Sequence, residues 1–480
     1  MCMLIKTFEK IDSHFIYMLI VGIIIRFLSF LFVPIVDDTI SYIESARFII
    51  EINYTSLRPP GFPLLLVPFL LLTGDGAFSA KIVSFIISIL LILCSYYVYM
   101  KAFMNLFKDS KRREQKAKKI GLLASFLLIF NLFFIFHSGK GLREELIALL
   151  YLVLFYFIII KDKLSLRDNI CLSLIICLLI LTQLSTSFFI VVAIVIFFIV
   201  SKFKRFQFKP ISNKKFFIIL ASFICSFFLW AIFSMYKWGD PLANWNTQGA
   251  WFGIKYGVDL SSFEGIINAG LNALTFGLPS IFIFLFVYFG FAFILIMLYF
   301  LIKNLRNKQL LFIFLAVGLN YAYLTIYITT PRVIMYFFYI LLYIGALPLG
   351  IFLVKLENKD VTTIKKTNYL LYTYLISYVL RGLDTLSIIY LVYQIYNYLP
   401  HFSDVDTIIS IFAQTLNPII LTITFILIVI NEGSLVLILI SNKDLLSFKL
   451  KGNQDNFNRK INNDKSFKEN GKFQKSKKDK

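Results

Sequence analysis

From Phe15 to Val36 the chain is apolar at almost every position, interrupted only by Arg26 and Ser29, and then "DDTISY" sets two carboxylates against the end of the run. The pattern recurs along the whole chain. Stretches suited to crossing about 30 Å of hydrocarbon as helix lie near 15–35, 79–100, 120–137, 145–160, 169–183, 186–201, 216–236, 276–302, 310–328, 333–354, 369–398 and 408–440. Their ends are read from where charge resumes. The pattern predicts an all-α polytopic membrane protein of about 12 transmembrane helices, because only helices satisfy their own backbone in lipid without closing a barrel. The segment 369–398 is interrupted by Arg381 and Asp384, and 408–440 contains "NEGS", so these last two spans are the weakest of the set. No internal repeat is visible.

Composition agrees with the pattern. Of 480 residues, 59% are hydrophobic and mean hydropathy is +0.80, more apolar surface than a soluble domain of this length could bury. The first run is long and no small-residue cleavage site follows it, so a cleaved signal peptide is not expected. The net charge of +21 changes the picture only through where it falls. With the N-terminus inside, 38 of the 48 Lys and Arg residues fall in 1–14, 101–119, 161–168, 202–215, 303–308, 355–366 and 443–480. That is the positive-inside rule, so the charge is topological and calls for no nucleic-acid partner. Both termini are expected in the cytoplasm of a multi-pass cell-membrane protein. The tail 443–480, rich in Lys, Asn and Asp, is expected to be disordered and to meet the anionic inner leaflet. The five cysteines and three histidines show no metal-ligand spacing, and the cysteines read as packing residues.

In this orientation two outer loops are substantial, 36–78 and 237–275, and they collect charge that topology does not need. Asp37, Asp38, Glu44, Glu51, Glu144, Glu145, Asp240, Asp259 and Glu264 face outward, with Arg47, Arg58, Lys140, Arg143, Lys237, Lys255 and Arg332. In the first loop Asp38, Tyr42 and Ala46 recur at i, i+4 and i+8, one face of a juxtamembrane helix. Ile40, Ile43 and Phe48 to Ile50 are expected to press another face toward lipid. "RPPGFPLLLVP" follows, and its prolines argue against a regular helix there. Capped helix ends and a solvated turn explain the same residues without a site.

Arg26 in the first span, then Asp38, Tyr42 and Ala46 in the spacing D-x-x-x-Y-x-x-x-A, then Arg58 to Pro63 and Gly74, resemble the GT-C superfamily. These are polyprenyl-phosphate-sugar-dependent glycosyltransferases, and the likeness is to members related to protein O-mannosyltransferases and aminoarabinose transferases. Phe62 stands where the family's R-x-P-G-Y-P run has Tyr. "SGKGLREELIALL" resembles the second outer loop, with Glu144 as the acidic residue opening the fourth span. "TTPRVIMYFFYILLYIGALPL" resembles the later R-Y-x-x-P segment, with Arg332 as its arginine. Here the chain departs, since Val333 replaces the Tyr and the proline is missing. The resemblance covers roughly 15–355 as a catalytic membrane module; the helices of 356–442 match nothing recognisable.

The resemblance implies a polyprenyl-phosphate-linked sugar donor and an acceptor on the outer face: protein, glycan or lipid. Loss of the phosphate leaving group calls for a fixed cation, and arginine offers a planar two-donor fork. Arg332 is the first candidate, with Arg58 and Lys140 beside it; snorkelling to the interface explains Arg332 as well. A carboxylate is needed to take the acceptor's proton. Asp38 holds the family's position, which implies direct displacement with inversion, and Asp37 is the fallback. Glu144 is cast as an aid to the base or a holder of the acceptor, although an acid at a helix N-terminus is also what the dipole favours. Tyr42 shares the Asp38 face. Trp245 and Trp251, beside Asn244, Asn246 and Gln248, suit a sugar or an interfacial aromatic belt equally. No cofactor is required by these residues; Asp37 and Asp38 carry the oxygen ligands a divalent metal takes, and the sequence leaves metal dependence open. A transporter or flippase of lipid-linked saccharides, or a polysaccharide polymerase, would share the donor. The position of the acids at outer helix ends favours the transferase.

Overall fold

The computed structural model describes residues 12–35, 37–106, 113–203, 211–243, 271, 298–302, 307–326, 369–380 and 418–441. Among them every regular element is helical. In chain order they are α1 (Ser13–Phe32), α2 (Asp37–Ile50), α3 (Gly61–Thr73), α4 (Gly76–Leu106), α5 (Arg113–Ile129) and α6 (Leu132–Ser138). There follow α7 (Glu144–Phe155), running into a π-helical turn Tyr156–Ile160, then α8 (Leu166–Thr182), α9 (Leu184–Ser201), α10 (Asn213–Trp238) and α11 (Lys308–Ile326). A helix Tyr369–Leu380, α12, and α13 (Pro418–Ser441) complete the described set. Helices α1, α4, α9 and α10 are long and apolar enough to cross a membrane.

The helices are inverted relative to those of a soluble bundle. On α1, Ile16, Ile20, Ile24, Phe27 and Leu31 form an exposed stripe, while Gly22, Arg26 and Ser29 are buried. An exposed apolar face is at no disadvantage in hydrocarbon, so small and polar residues can turn inward where backbones approach. The inward face of α1 packs on α4, which also carries α5 and α7, and α8 packs on α10. Local chemistry sets the ends: the Asp12 side chain accepts from the His14 amide at 2.9 Å, and a Ser165–Asp168 capping box opens α8. At the far end of α7, Lys215 Nζ donates to the carbonyls of Phe157 at 2.9 Å and Lys161 at 2.6 Å, supplying donors where the π turn stops.

Three expectations are corrected. The proline-rich stretch is helical from Gly61: Pro60 caps it, Pro63 falls in the first turn, where no intrahelical bond is lost, and only Pro68 is interior. Ile43 is buried at 7% exposure and packs at Gly76, so only Ile40 and Ile50 of the proposed lipid-facing set are strongly exposed. The run 120–137 is two helices, α5 and α6, broken at Asn131. The weak span containing "NEGS" is helical throughout α13, with Asn431 and Ser434 turned inward. The tail 443–480, the run 333–354 and most of 237–275 lie outside the described residues.

The break at Asn131 leaves last-turn carbonyls of α5 without intrahelical donors. Arg26 Nη2 donates to the Leu128 carbonyl at 3.1 Å, which otherwise has only the Asn131 amide at 3.4 Å, and beyond the break Ser29 Oγ donates to the Ile135 carbonyl of α6. Arg26 is 1% exposed, and the charge facing it is that of Glu145, also 1% exposed. They attract without a direct hydrogen bond to each other, and Arg26 Nε and Nη1 have no hydrogen-bond partner. Arg26→Met is expected to cost about 3 kcal/mol of stability, because it strands a buried charge and uncaps a carbonyl. Adding Glu145→Gln is expected to recover part of that loss, and thermal unfolding in detergent measures both.

Candidate functional site

The polar residues of one end of the bundle converge where α2, α3, the α6–α7 loop and the α8–α9 junction meet. Helix α2 begins right after α1, so its first turn brings Asp38 to this end. Its inward face is the one expected: Tyr42 is 1% exposed and Ala46 is fully buried. The helix ends at Ile50, and two residues on Ile52 takes a left-handed φ of 54°, where the Asn53 amide returns to the Phe48 carbonyl at 2.9 Å. The turn beyond is pinned by Ser45 Oγ to Ser56 Oγ at 2.8 Å, the Arg58 amide to Ser56 Oγ at 3.2 Å, and the Tyr54 hydroxyl donating to the Arg58 carbonyl.

That turn aims Arg58 back at α2. Its Nη2 donates to Asp38 Oδ1 at 2.6 Å, and its guanidinium lies 4.8 Å from the centre of the Tyr42 ring. The Arg143 guanidinium lies 5.6 Å from the same ring, so two cations flank one aromatic face system. Arg143 Nη1 also donates to the Thr182 carbonyl at 3.1 Å, tying the loop to the end of α8. Phe62 packs edge-on against Tyr42 at 5.2 Å and walls the cluster on that side.

The α6–α7 loop is held by its backbone. Thr39 Oγ1 donates to the Lys140 carbonyl at 2.7 Å and Ser84 Oγ to that of Leu142 at 3.2 Å. Gly139 sits against the Ser29 carbonyl with no room for a side chain, and Gly141 takes φ 69°, which favours glycine. Glu144, 2% exposed at the start of α7, feels the positive charges of Arg143, Lys140 and Arg58. Burial pushes the Lys140 ammonium down to about 8, against the opposing pull of Glu144. An arrangement of this kind can hold an anion on several cations and keep a carboxylate oxygen beside it.

The structure thus brings together Asp38, Tyr42, Arg58, Lys140 and Glu144 from two distant segments. Arg332, Trp245, Trp251 and the Asp37 side chain lie outside the described residues. Arg143, Tyr54 and Thr182 were not assigned a role from the sequence. The signal for Arg143 was its place in "GLREE", and for Thr182 the polar pair Thr182–Gln183 between two uncharged runs. Among the described residues no three His, Cys, Asp or Glu side chains gather as a metal site.

No family model matches the chain, and no curated relative matches it. Among solved structures its helical arrangement is similar to that of ArnT from Cupriavidus metallidurans bound to undecaprenyl phosphate. The TM-score is 0.49 and the identity 11%, over 90% of this chain and 76% of that one. It is also similar to ArnT from the same organism in the apo state, at TM-score 0.47 and 12% identity, over 90% and 77%.

An ammonium titrating near 8 gives the cluster a pH signature. As pH rises through about 8, Lys140 loses its proton and one positive charge leaves the site. Affinity of the cluster for inorganic phosphate as a probe anion is expected to fall about tenfold between pH 7 and pH 10, the loss of one charge-assisted hydrogen bond. Lys140→Arg is expected to flatten the profile, since arginine keeps its charge. Binding titrations at both pH values decide this.

Proposed function

We propose that the protein is a membrane glycosyltransferase that moves a sugar from a polyprenyl-phosphate donor to an acceptor on the outer face of the cell membrane. The observation that carries the reading is the Asp38–Arg58 pair laid against Tyr42, with Lys140 and Arg143 beside it, at one end of a bundle of membrane-grade helices. A lipid-phosphate donor needs that combination: its chain lies in hydrocarbon and its charged head sits at the end of the helices. The motif order Asp38–Tyr42–Ala46, Arg58–Pro63, Glu144 supports the same reading.

The acceptor oxygen attacks the anomeric carbon while Asp38 takes its proton. The bond from that carbon to the phosphate oxygen breaks with its electron pair, and the configuration inverts. Lys140, Arg58 and Arg143 hold the phosphate as its charge grows, and their fixed placement removes reorganisation at the moment of reaction. Arg332 is assigned to the same phosphate by the family resemblance. In the donor-free protein Arg58 orients the Asp38 carboxylate; with donor bound it serves both anions. Glu144, buried among three cations, holds them in place while the site is empty. Asp37 remains the second candidate base. The acceptor class, protein, glycan or lipid, is left to experiment, and so is any divalent ion on Asp37 and Asp38.

Asp38→Asn is expected to bind donor as wild type does and to lose about 10²–10⁴ in turnover, the range for a positioned base. Sugar release or transfer from a panel of polyprenyl-phosphate sugars, with both proteins in nanodiscs, measures it. Equal turnover removes Asp38 from the role. Movement of a donor across the bilayer with no consumption replaces the transferase by a transporter.

A further inference from the structure

Helices α12 and α13 contribute no residue to the site described above, yet they reach its supports. Tyr378, 3% exposed on α12, accepts from Asn131 Nδ2 at 3.2 Å and donates to the Leu127 carbonyl at 3.0 Å. Both partners belong to the break between α5 and α6. Tyr378 is itself held from behind. Asn431 on α13 is fully buried and donates Nδ2 to the Tyr374 carbonyl at 2.9 Å and to Ser377 Oγ at 3.0 Å. The Tyr374 ring lies beside that of Tyr378 at 6.2 Å, and Phe126 flanks it at 6.4 Å.

What lies beyond the break gives this clamp its meaning. Helix α6 is only seven residues long, Leu132–Ser138, and runs straight into the loop that carries Lys140 and Arg143. Its start is bonded by the Ile135 amide to the Asn131 carbonyl at 3.1 Å, and just past its end the Lys140 amide bonds to the His137 carbonyl at 3.2 Å. Thr39 and Ser84 brace the loop end and Tyr378 braces the break, so a displacement at the break passes through one seven-residue helix to the segment that carries the cations. In an apolar interior the Leu127 carbonyl has no water to turn to when the hydroxyl is removed. The backbone at the break then shifts to find other partners, and α6 carries the shift to the loop.

We propose that Tyr378, backed by Asn431, is a positioning residue: α12 and α13 set the α6–α7 loop, and through it the phosphate-binding cations, from behind. The functional half of this rests on the donor reading given above; the mechanical half does not.

Tyr378→Phe removes one oxygen and keeps the ring, and Asn131→Ala attacks the same contact from the other side. Hydrogen exchange of the Lys140 to Arg143 amides is followed in full-length protein in nanodiscs without ligand, with thermal unfolding alongside. Both variants are expected to exchange there about threefold to tenfold faster than wild type, the worth of one buried hydrogen bond, at a nearly unchanged unfolding temperature. Unchanged exchange in this loop overturns the proposal, and so does a rise spread evenly over all helices, which marks a general loss of stability. Undecaprenyl phosphate then serves as the binding probe. Affinity weakened by a similar factor supports positioning of the cations, and unchanged affinity in variants of a wild type that binds overturns it. A wild type that does not bind the probe defeats the donor reading instead, and the exchange data still decide whether the clamp exists.

Discussion

A backbone carbonyl in hydrocarbon must find a donor inside the protein, and this structure is arranged around one place where the helix cannot supply it. The break at Asn131 opens the last turn of α5, and two side chains from other helices answer it, Arg26 from α1 and Tyr378 from α12, while Ser29 of α1 bonds a carbonyl of α6 just beyond. Each would be an odd choice in lipid on its own. Together they turn a defect in one span into the anchor of a short helix and of the loop after it. The buried arginine therefore serves the backbone at the break and faces the Glu145 carboxyl group, one helix end away from the polar cluster.

The site follows from the same economy of backbone. Its cations stand on segments whose own carbonyls are bonded by Thr39, Ser84 and Tyr54. Asp38, by contrast, stands on the first turn of a helix, a rigid base. A carboxylate on a helix thus faces cations on loops braced through their own backbone.

Much of this was legible in the chain. The i, i+4, i+8 pattern from Asp38 gave the inward face of α2 correctly, and the order of motifs placed Arg58 and Lys140 at the same end. The rest depended on contacts that periodicity does not encode. Pro63 looked like a helix breaker because its position within a turn was invisible, and the break at Asn131 was masked by unbroken hydrophobicity on both sides. Arg143 resembled any basic residue before a helix until its guanidinium was seen over Tyr42, since a ring shared by two distant segments leaves no trace in local spacing. The interruption "NEGS" read as a weak point of its span, whereas Asn431 holds the preceding helix α12.

At Gly61 the start of α3 meets the end of α8 so closely that a side chain would collide with Thr182 and the Leu181 backbone. The two surfaces come from segments made far apart in time as the chain is synthesised. The wall built by α2 and α3 enters the membrane first and stays open until α8 arrives to close against it. A nascent chain arrested before that point holds Asp38, Arg58 and Tyr42 but has no partner for the Gly61 face, so this wall of the cluster closes only once the eighth helix is in place.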